Sequence, residues 1–454
     1  MTRALRNSLL AAGVLVVAYP ALAWGLGLMV QSRWQLREQQ ALERVPYLTL
    51  LRRDYRRGIY ASSEEAVYAL RGPFRKALQS LPGSTLWGDG RITVRNTIHH
   101  GPLPQLRAFA PATVETQLIL PPPLAQRLTA ALGKQAGLSF HTRMQWLGGS
   151  LTQLHSPAFQ QHSAALTLRS GGLDGQVELG RQIGDEHMTL AAPAIAASGA
   201  KGSIALEDLR MELTMKPYLE ALSVGDLRAA VARVALEDPG RSRSVSLQDL
   251  SLTSHSAAQG DYLDMAGRFA AARLESSSFA ATQLVYEFRF AHIHGPALQS
   301  LTRALQAAQL AGGDRPDPAA LQAALRKDGI ELLLHDPVVA IPRIGLTLPE
   351  GSAQLSFEAT LPGLRRSDLE GTAQAFGAAL SSHLKATAEM RIDTDLLDRF
   401  LDSSNRAEAL TAQLQSLQRQ GYLKLDGKAL TTHLTFVNGQ LRLNGLPFPP
   451  TAHP

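Results

Sequence analysis

The sequence predicts an α+β protein, built mainly from antiparallel β-sheets in two lobes, with a few covering helices and one N-terminal transmembrane helix. Three observations support this fold class. Short segments with alternating apolar and polar residues recur along the chain, as in strands with one buried face. Gly-Gly, Asp-Gly and Asn-Gly pairs separate many of these segments and suit tight hairpin turns. The stretch from Leu9 to Val30 contains no charged residue.

That apolar stretch is long enough to cross a bilayer. As a helix with a rise of about 1.5 Å per residue it would measure about 33 Å, against about 30 Å for the hydrocarbon core. Arg3 and Arg6 precede it, and basic residues favour the cytoplasmic side. We therefore assign residues 1–8 to a cytoplasmic stub, residues 9–30 to a single-pass anchor in the cell inner membrane, and the bulk of the chain to the periplasm.

A cleaved secretory signal is the alternative interpretation of the same residues. Leu9 to Tyr19 could form its apolar region, and Ala21-Leu22-Ala23 has the small residues of a cleavage site. Cleavage after Ala23 would release a soluble protein that begins at Trp24. The residues that follow remain apolar as far as Val30, which favours the uncleaved anchor. Both interpretations export the bulk of the chain.

The remaining chain divides into a juxtamembrane helix at 31–45, a first β-rich lobe at 46–215 and a second β-rich lobe with helices at 216–454. Alternation predicts seven strand segments: Arg91–Ile98, Ser163–Leu168, Gln176–Leu179, Leu209–Met215, Leu284–Phe290, Ala353–Thr360 and His433–Leu443. Helical patterns predict five helices: Leu124–Leu132, Ala297–Leu310, Pro318–Lys327, Leu396–Phe400 and Glu408–Arg419.

Composition excludes several classes of function. The 454 residues include no cysteine, so disulfides, cysteine nucleophiles and cysteine metal sites are impossible. Lys and Arg number 45 against 39 Asp and Glu, and no aromatic-basic motif occurs, so nucleic-acid binding is not expected. The densest basic cluster runs from Arg52 to Arg57. It is typical of a solvated face, or of a surface that meets lipid phosphates or an acidic protein.

Catalytic and cofactor motifs are absent from the sequence. It contains no GxSxG, HExxH, Walker or GxGxxG pattern, so we expect no enzyme activity, no cofactor and no metal. His99 and His100 are adjacent and would point to opposite faces of a strand. His292 and His294 would share a face, and could bind a metal only if a third ligand came near. An envelope hydrolase, with His100 or His294 in a cleft beside a carboxylate, is the alternative function.

Two His-Gly-Pro units follow strand patterns, His100-Gly101-Pro102 and His294-Gly295-Pro296. Glycine permits an unusual turn, proline fixes the next φ angle, and histidine can bond to the freed backbone. Both units are therefore explained by turn structure as well as by chemistry.

Three motifs carry a family resemblance. They are Tyr55-Arg56-Arg57-Gly58-Ile59-Tyr60-Ala61-Ser62, His100-Gly101-Pro102-Leu103, and Asn438-Gly439-Gln440-Leu441-Arg442-Leu443-Asn444-Gly445. In this order, behind an N-terminal anchor, the set resembles the YdgA-like bacterial proteins, which carry a domain of unknown function. The resemblance implies an inner-membrane-anchored periplasmic protein, and it implies no known reaction and no catalytic residues.

The motif residues are interpreted as determinants of the fold. They are Tyr55, Arg57, Gly58, His100, Gly101, Pro102, Asn438, Gly439, Asn444 and Gly445. Asn438-Gly439 would turn a hairpin between Leu434–Val437 and Leu441–Leu443, and Asn444-Gly445 would make a second turn.

The function predicted from these observations is non-enzymatic binding or scaffolding at the membrane, for a lipid, an apolar ligand or an envelope protein. A sheet that forms a groove lined by Leu, Val and Ala would favour lipid. A sheet face that is packed solid would favour a scaffold.

Overall fold

The computed structural model describes the backbone from Arg3 to Phe448. Excepted residues are 46, 72–74, 76–90, 120–124, 127–136, 163–165, 201, 278, 312–316, 370–371 and 403–406. The side chains of 3–18, 44, 166, 241, 310, 311, 373, 402 and 407 also lie outside the description. The predicted helix Leu124–Leu132 and the beginning of the predicted strand Ser163–Leu168 fall within the excepted residues.

Antiparallel strands dominate the described chain and several helices accompany them, which confirms the β-rich part of the predicted class. The strands are β1 (Leu48–Arg57), β2 (Ala61–Leu70), β3 (Arg91–His100), β4 (Ala112–Ile119), β5 (Ser139–Met144), β6 (Ser150–Ser156), β7 (Phe159–His162), β8 (Leu166–Ser170), β9 (Leu173–Leu179), β10 (Glu186–Gly199), β11 (Gly202–Leu219), β12 (Leu222–Asp238), β13 (Arg243–Gln259), β14 (Tyr262–Ser276), β15 (Ala280–His294), β16 (Val338–Leu348), β17 (Gly351–Thr360), β18 (Lys385–Asp393), β19 (Lys424–Asp426), β20 (Ala429–Val437), β21 (Gln440–Leu443) and β22 (Leu446–Pro447). The α-helices are α1 (Arg3–Arg44), α2 (Gly295–Ala311), α3 (Pro318–Ala324), α4 (Ile330–Leu333), α5 (Ala373–His383), α6 (Thr394–Asp402) and α7 (Ala407–Arg419).

Four of the five predicted helices occur, as α2, α3, α6 and α7. Helix α5 was not predicted, although Thr372 supplies a recognisable cap. Its side-chain oxygen accepts a hydrogen bond from the Ala375 amide at 3.2 Å, which satisfies one free N–H of the first turn.

The chain forms two compact units. Unit 1 comprises Met1–Ala197, Met211–Ser223 and Leu305–Leu321, and unit 2 comprises Ser198–Arg210, Val224–Ala304 and Gln322–Pro454. Strands β11 and β12 each contribute residues to both units. The lobe bounds 46–215 and 216–454 stay a prediction.

Unit 1 is built on a meander in which β1 to β6 pair antiparallel in chain order, followed by β9 and β10. In a meander, alternate connections leave the sheet at the same end. The β1–β2, β3–β4 and β5–β6 connections therefore share one end. The core on the sheet consists of Val30 from α1 with Ile98, Ala112, Val114 and Met144.

Helix α1 is one continuous helix from Arg3 to Arg44, and Pro20 lies inside it. The juxtamembrane helix expected at 31–45 is therefore the C-terminal part of α1 rather than a separate element. None of the described helical residues forms a segment long and apolar enough to count as a membrane span. The predicted span 9–30 begins in side chains outside the description and ends in side chains that pack on the sheet of unit 1.

Unit 2 contains a second antiparallel meander, in which strands pair in order from β12 to β18, followed by β20, β21 and β22. Helix α6 packs on β17 and β18. It buries Leu396 completely against a cluster that includes Ala281 and Leu348. The predicted hairpin is confirmed, because Leu434 pairs with Leu443 and Val437 with Gln440.

Candidate functional site

Helix α1 is fixed to unit 1 through one stripe of its surface. Tyr19, Ala23, Gly27, Val30 and Trp34 are spaced by four, four, three and four residues, which places them on one face of a helix. Ala23 and Val30 are fully buried. We call the residues of unit 1 that contact this stripe the helix seat. They include Tyr60, Glu64, Ile98, His100, Gly101 and Leu103.

His100 lies in the middle of the helix seat and packs against Gly27. A Cβ atom built on Gly27 would lie 2.6 Å from Nδ1 of His100, so the ring occupies the space of a missing side chain. Neither ring nitrogen has a hydrogen-bond partner among the described residues. Burial lowers the pKa of His100, and the nearby Ile59 carbonyl acts weakly in the opposite direction. His100 is therefore a neutral packing residue.

The upper part of the helix seat is formed around Tyr19. Its hydroxyl donates to the Leu103 carbonyl at 2.8 Å, and its ring stacks on Tyr60 with the centroids 6.2 Å apart. Gly101 has a φ of +122°, and a Cβ there would lie 2.9 Å from the Tyr19 hydroxyl. A side chain at Gly101 would be strained in its backbone and would also collide with the helix.

The lower part of the helix seat is a buried polar network around Glu64, whose side chain is 1% exposed. Nε1 of Trp34 and Nδ2 of Asn96 each donate to Oε2 of Glu64 at 2.9 Å. Nε of Arg53 pairs with Oε1 of Glu64 at 3.2 Å, and Arg53 also pairs with Glu38 of α1. A buried carboxylate is tolerated only when it is paired and hydrogen-bonded in this way. The network therefore ties α1 to three strands.

Sequence reasoning missed Glu64. The run Ser62-Ser63-Glu64-Glu65 resembles a helix cap or a turn, yet it lies inside β2. Alternation places Ser62, Glu64 and Ala66 on one face, and all three are buried. A strand pattern beside the arginine-rich β1 was the available signal.

The N-terminal motif residues gather at the helix seat. Tyr55 packs on the Val30 cluster, and the Arg57 guanidinium lies 5.2 Å from the centre of the Trp24 ring. A Cβ on Gly58 would lie 2.3 Å from the Ala61 carbonyl oxygen, so the turn requires glycine. The Pro102 carbonyl accepts the Ala110 amide at 3.2 Å and closes the β3–β4 loop.

The C-terminal motif residues form turns in unit 2. Asn438 and Gly439 have φ angles of 52° and 72°, and Asn444 and Gly445 have 51° and 83°. These values suit two-residue hairpin turns of type I′. Nδ2 of Asn444 also donates to the Tyr422 carbonyl at 2.9 Å.

A histidine cluster in unit 2 surrounds Tyr262. His292 has a φ of +57° and stacks on Tyr262 with centroids 4.0 Å apart, and its amide donates to Asp264 at 2.7 Å. His294 stacks on His335 at 3.7 Å, and Nε2 of His335 lies 3.6 Å from Glu331. Burial, followed by the nearby His335, lowers the pKa of His294.

The two histidines of the hydrolase alternative have different environments, and that alternative stays a prediction. His100 packs against Gly27, and the groups that influence its pKa include no carboxylate. His294 stacks on His335, and the carboxylates of Asp261 and Glu331 lie near enough to influence its pKa. Within the described ranges no three His, Asp or Glu side chains are grouped to hold a metal ion.

An apolar row crosses the sheet of unit 2. Register places five residues opposite one another on five adjacent strands: Phe269, Tyr286, Ile344, Leu355 and Met390. All five are 36% to 40% exposed. We call this set the open row.

The open row lies beside a covered part of the same face. Leu284, Leu346, Ala353 and Ile392 are each two residues from a member of the open row, and they pack under Leu396 of α6. Phe288 lies on the other side, 6.2 Å from Tyr286 between ring centroids. The row is therefore an uncovered strip of an apolar surface.

The opposite face of this sheet is charged. Arg268 pairs with Glu287 at 3.2 Å, Arg289 with Glu358 at 3.0 Å and Glu389 with His433 at 3.1 Å. Exposed pairs of this kind stabilise the fold by about 0 to 1 kcal/mol each. The two faces of this sheet therefore differ in polarity, one charged and one partly apolar.

The chain belongs to the bacterial DUF945 family. The family, described as bacterial protein of unknown function, matches residues 5–451. No curated protein and no solved structure matches the chain.

DUF945 membership covers α1 together with both units, so the helix seat and the open row belong to one family unit. The family description gives no residue a role.

Proposed function

We propose that the protein is a membrane-anchored, non-enzymatic envelope protein that binds a lipid acyl chain along the open row. The observation that carries the proposal is the open row itself. Five large apolar side chains on adjacent strands remain more than a third exposed, beside a cluster that α6 covers. Contiguous exposed apolar surface of this kind marks a binding site.

The length of the open row suits an acyl chain. Neighbouring strands lie about 4.8 Å apart, so five strands span about 19 Å. One leaflet, half of a hydrocarbon core of about 30 Å, is about 15 Å deep. A chain with the length of one leaflet would therefore cover about four of the five strands.

The affinity expected from the open row is modest. Complete burial of one such side chain is worth about 1.5–3 kcal/mol, so covering the remaining third of five contributes about 3–6 kcal/mol. A free energy of this size supports roughly millimolar binding. A protein tethered at the membrane meets lipid at high local concentration, so weak binding is sufficient.

The anchor is supported by the outer face of α1. Leu22, Trp24 and Leu28 are exposed there, opposite the stripe that fills the helix seat. The seat covers Gly27 and Val30, so we place the span further toward the N-terminus than 9–30. The C-terminal end of this span, from Tyr19 to Trp24, also contacts unit 1 and would lie in the membrane interface. From Arg6 to Trp24 a helix measures about 27 Å, close to a hydrocarbon core of about 30 Å. Cleavage after Ala23 would remove Tyr19 and Ala23 from the seat, which favours an uncleaved helix.

The location that we propose is the inner membrane, with both units in the periplasm. The basic residues Arg3 and Arg6 support a cytoplasmic N-terminus. The resemblance to YdgA-like proteins implies the same location. A His-centred hydrolase is less well supported, because His100 and His294 are occupied by packing.

Crosslinking in cells, followed by mass spectrometry of co-purified lipids and proteins, tests the binding proposal. Leu355→Glu places a charge in the middle of the open row, and we expect about a tenfold loss of bound lipid, or about 1.4 kcal/mol. Gln354→Glu is the matched control, because the neighbouring residue points to the charged face.

Equal lipid recovery from Leu355→Glu and Gln354→Glu would contradict binding along the open row. Recovery of a protein partner without lipid would favour the scaffold instead. An alkaline phosphatase fusion at the C-terminus should be active, because that enzyme works only outside the cytoplasm. The mass of the purified chain shows whether Ala23 is a cleavage site.

A further inference from the structure

One end of unit 1 carries exposed apolar tips on three connections. Leu106 in the β3–β4 loop and Leu147 in the β5–β6 turn are 82% and 86% exposed. Phe109 in the β3–β4 loop is also exposed, and its ring centroid lies 5.1 Å from that of Trp146 in the β5–β6 turn. This ring contact brings the two connections together. The β1–β2 turn adds exposed Ile59 at the same end. Large apolar side chains at turn tips indicate a surface with an apolar partner.

The charge of this end is positive. The connections 58–60, 101–111 and 145–149 contain no Asp or Glu. Arg107 is exposed in the β3–β4 loop, and Arg57 is the last residue before the β1–β2 turn. Basic residues beside apolar tips match the anionic headgroups of a phospholipid surface.

Helix α1 begins its contact with unit 1 at this same end. Tyr19 touches Leu103 of the β3–β4 loop and Tyr60 of the β1–β2 turn. The helix continues from Tyr19 toward Arg3, and residues 9–18 of the sequence are apolar. The chain segment that we propose as the anchor therefore leaves unit 1 beside the β1–β2 and β3–β4 connections. The β5–β6 turn contacts the same helix further along, where Arg33 donates to the Trp146 carbonyl at 3.4 Å.

We infer that this end of unit 1 lies on the bilayer surface, with Leu106, Phe109 and Leu147 inserted at the headgroup level. This inference rests on the proposed anchor, because α1 brings the end to the membrane. Trp24 would then lie in the interface, where tryptophan is enriched, with Arg57 over its ring among the lipid phosphates. The continuous helix, held in its seat, fixes the orientation of unit 1 on the membrane.

Depth-dependent fluorescence quenching tests the inference on the full chain. The sequence has no cysteine, so one introduced cysteine can be labelled uniquely. Leu106→Cys and Leu147→Cys report on the tips, and Leu22→Cys reports on α1. Leu425→Cys is the control, an exposed leucine on β19 of unit 2. Each labelled protein is reconstituted in phosphatidylcholine vesicles with phosphatidylglycerol, and shallow nitroxide lipids are the quenchers.

We expect strong quenching and a blue-shifted emission at positions 22, 106 and 147, and water-like emission at position 425. Quenching at 22 with water-like emission at 106 and 147 would overturn the inference and leave the anchor intact. Water-like emission at all four positions would overturn the anchor itself. Shallow quenching of an added Leu28→Cys label, at an exposed position of α1, with the tips in water, would show the helix spanning the bilayer out of its seat and would overturn the inference.

The charge contribution is tested with Arg107→Glu in the Leu106→Cys background. Each basic residue near an anionic surface changes the equilibrium by about fivefold. We expect the quenching at 106 to fall in vesicles with phosphatidylglycerol and to remain unchanged in pure phosphatidylcholine. Arg326→Glu, at an exposed position of unit 2, is the matched control. Equal effects of the two substitutions would contradict contact between Arg107 and the headgroups.

Discussion

The same tripeptide ends two strands of this protein and has two different environments. His100-Gly101-Pro102 follows β3, and His294-Gly295-Pro296 follows β15 and begins α2. In unit 1 the histidine ring is buried against Gly27 of α1. Its nitrogens have no hydrogen-bond partner among the described residues. In unit 2 the ring stacks on His335.

The difference shows which properties of the tripeptide are local. Each glycine makes a backbone hydrogen bond directly after its strand. The Gly101 amide donates to the Pro111 carbonyl at 3.2 Å, and the Gly295 amide donates to the Asp261 carbonyl at 2.7 Å. The exit from the strand is therefore determined by the tripeptide and its neighbouring loop. The chemistry of the histidine is determined by the distant segment that covers it, a helix in unit 1 and a second imidazole in unit 2.

The largest effect is expected where the helix seat is broken at its buried carboxylate. Glu64→Ala would leave Trp34 and Asn96 without their shared acceptor and Arg53 without its buried ion-pair partner. Removing one member of a buried ionic network costs about 3–5 kcal/mol. We expect a drop of that size in the free energy of unfolding of unit 1, measured by urea denaturation, with little change in the His294 region.

The neighbouring residue provides the control for that substitution. Glu65 pairs with Arg52 and Arg95 at 2.8 and 2.9 Å, but these pairs are exposed to solvent. Glu65→Ala should therefore destabilise unit 1 much less than Glu64→Ala, because solvent screens exposed ion pairs. Similar losses from both substitutions would mean that the Glu64 network does not hold the helix.

A smaller effect is expected from the contact between Gly27 and His100. Gly27→Ala puts a methyl group 2.6 Å from the His100 ring, and overpacking costs about 1–3 kcal/mol. Gly25→Ala is the control on the same helix, because no atom lies within 4 Å of its added Cβ. It should stabilise the helix by up to about 1 kcal/mol, since alanine has the higher helix propensity. Thermal unfolding should therefore move in opposite directions for the two variants, and a shared direction would contradict the seat.

The local features of this fold were predictable from the sequence. The hairpin at 434–443 was predicted because Asn438-Gly439 specifies its turn without help from the rest of the chain. The stripe of α1 was also present in the sequence. Residues 19, 23, 27, 30 and 34 have helical spacing, but a wholly apolar segment hides which face meets protein.

The two proposed surfaces were not predictable. Alternation indicates which residues of a strand share a face, but only the register shows that Tyr286, Ile344 and Leu355 lie opposite one another. Glu64 was missed for a related reason. A glutamate in a strand is normally exposed, and its burial depends on Arg53 and Trp34 from two other elements.

The smallest effect, and the finest test of the comparison, is the response of the two histidines to acid. Both have a pKa below the ordinary 6.5, because burial disfavours the charged ring. The unfolded chain therefore binds protons more readily, so stability is present above pH 6.5 and decreases as the pH falls below it. The carboxylates Asp261 and Glu331 oppose the shift at His294, and His335 reinforces it.

Substitution of His335 separates the two responses. His335→Phe keeps a ring against His294 and removes the second charge, so the pKa of His294 should rise toward 6.5 and the acid-induced loss in unit 2 should shrink. His100→Phe should remove the acid-induced loss from unit 1 alone. Hydrogen exchange of the α1 and α2 peptides above and below pH 6.5 measures both, with His162→Phe on β7 as the exposed control. If His335→Phe altered exchange in α1 rather than in α2, the acid response of each histidine would not depend on the residues packed against it. The difference between the two tripeptides would then need another cause.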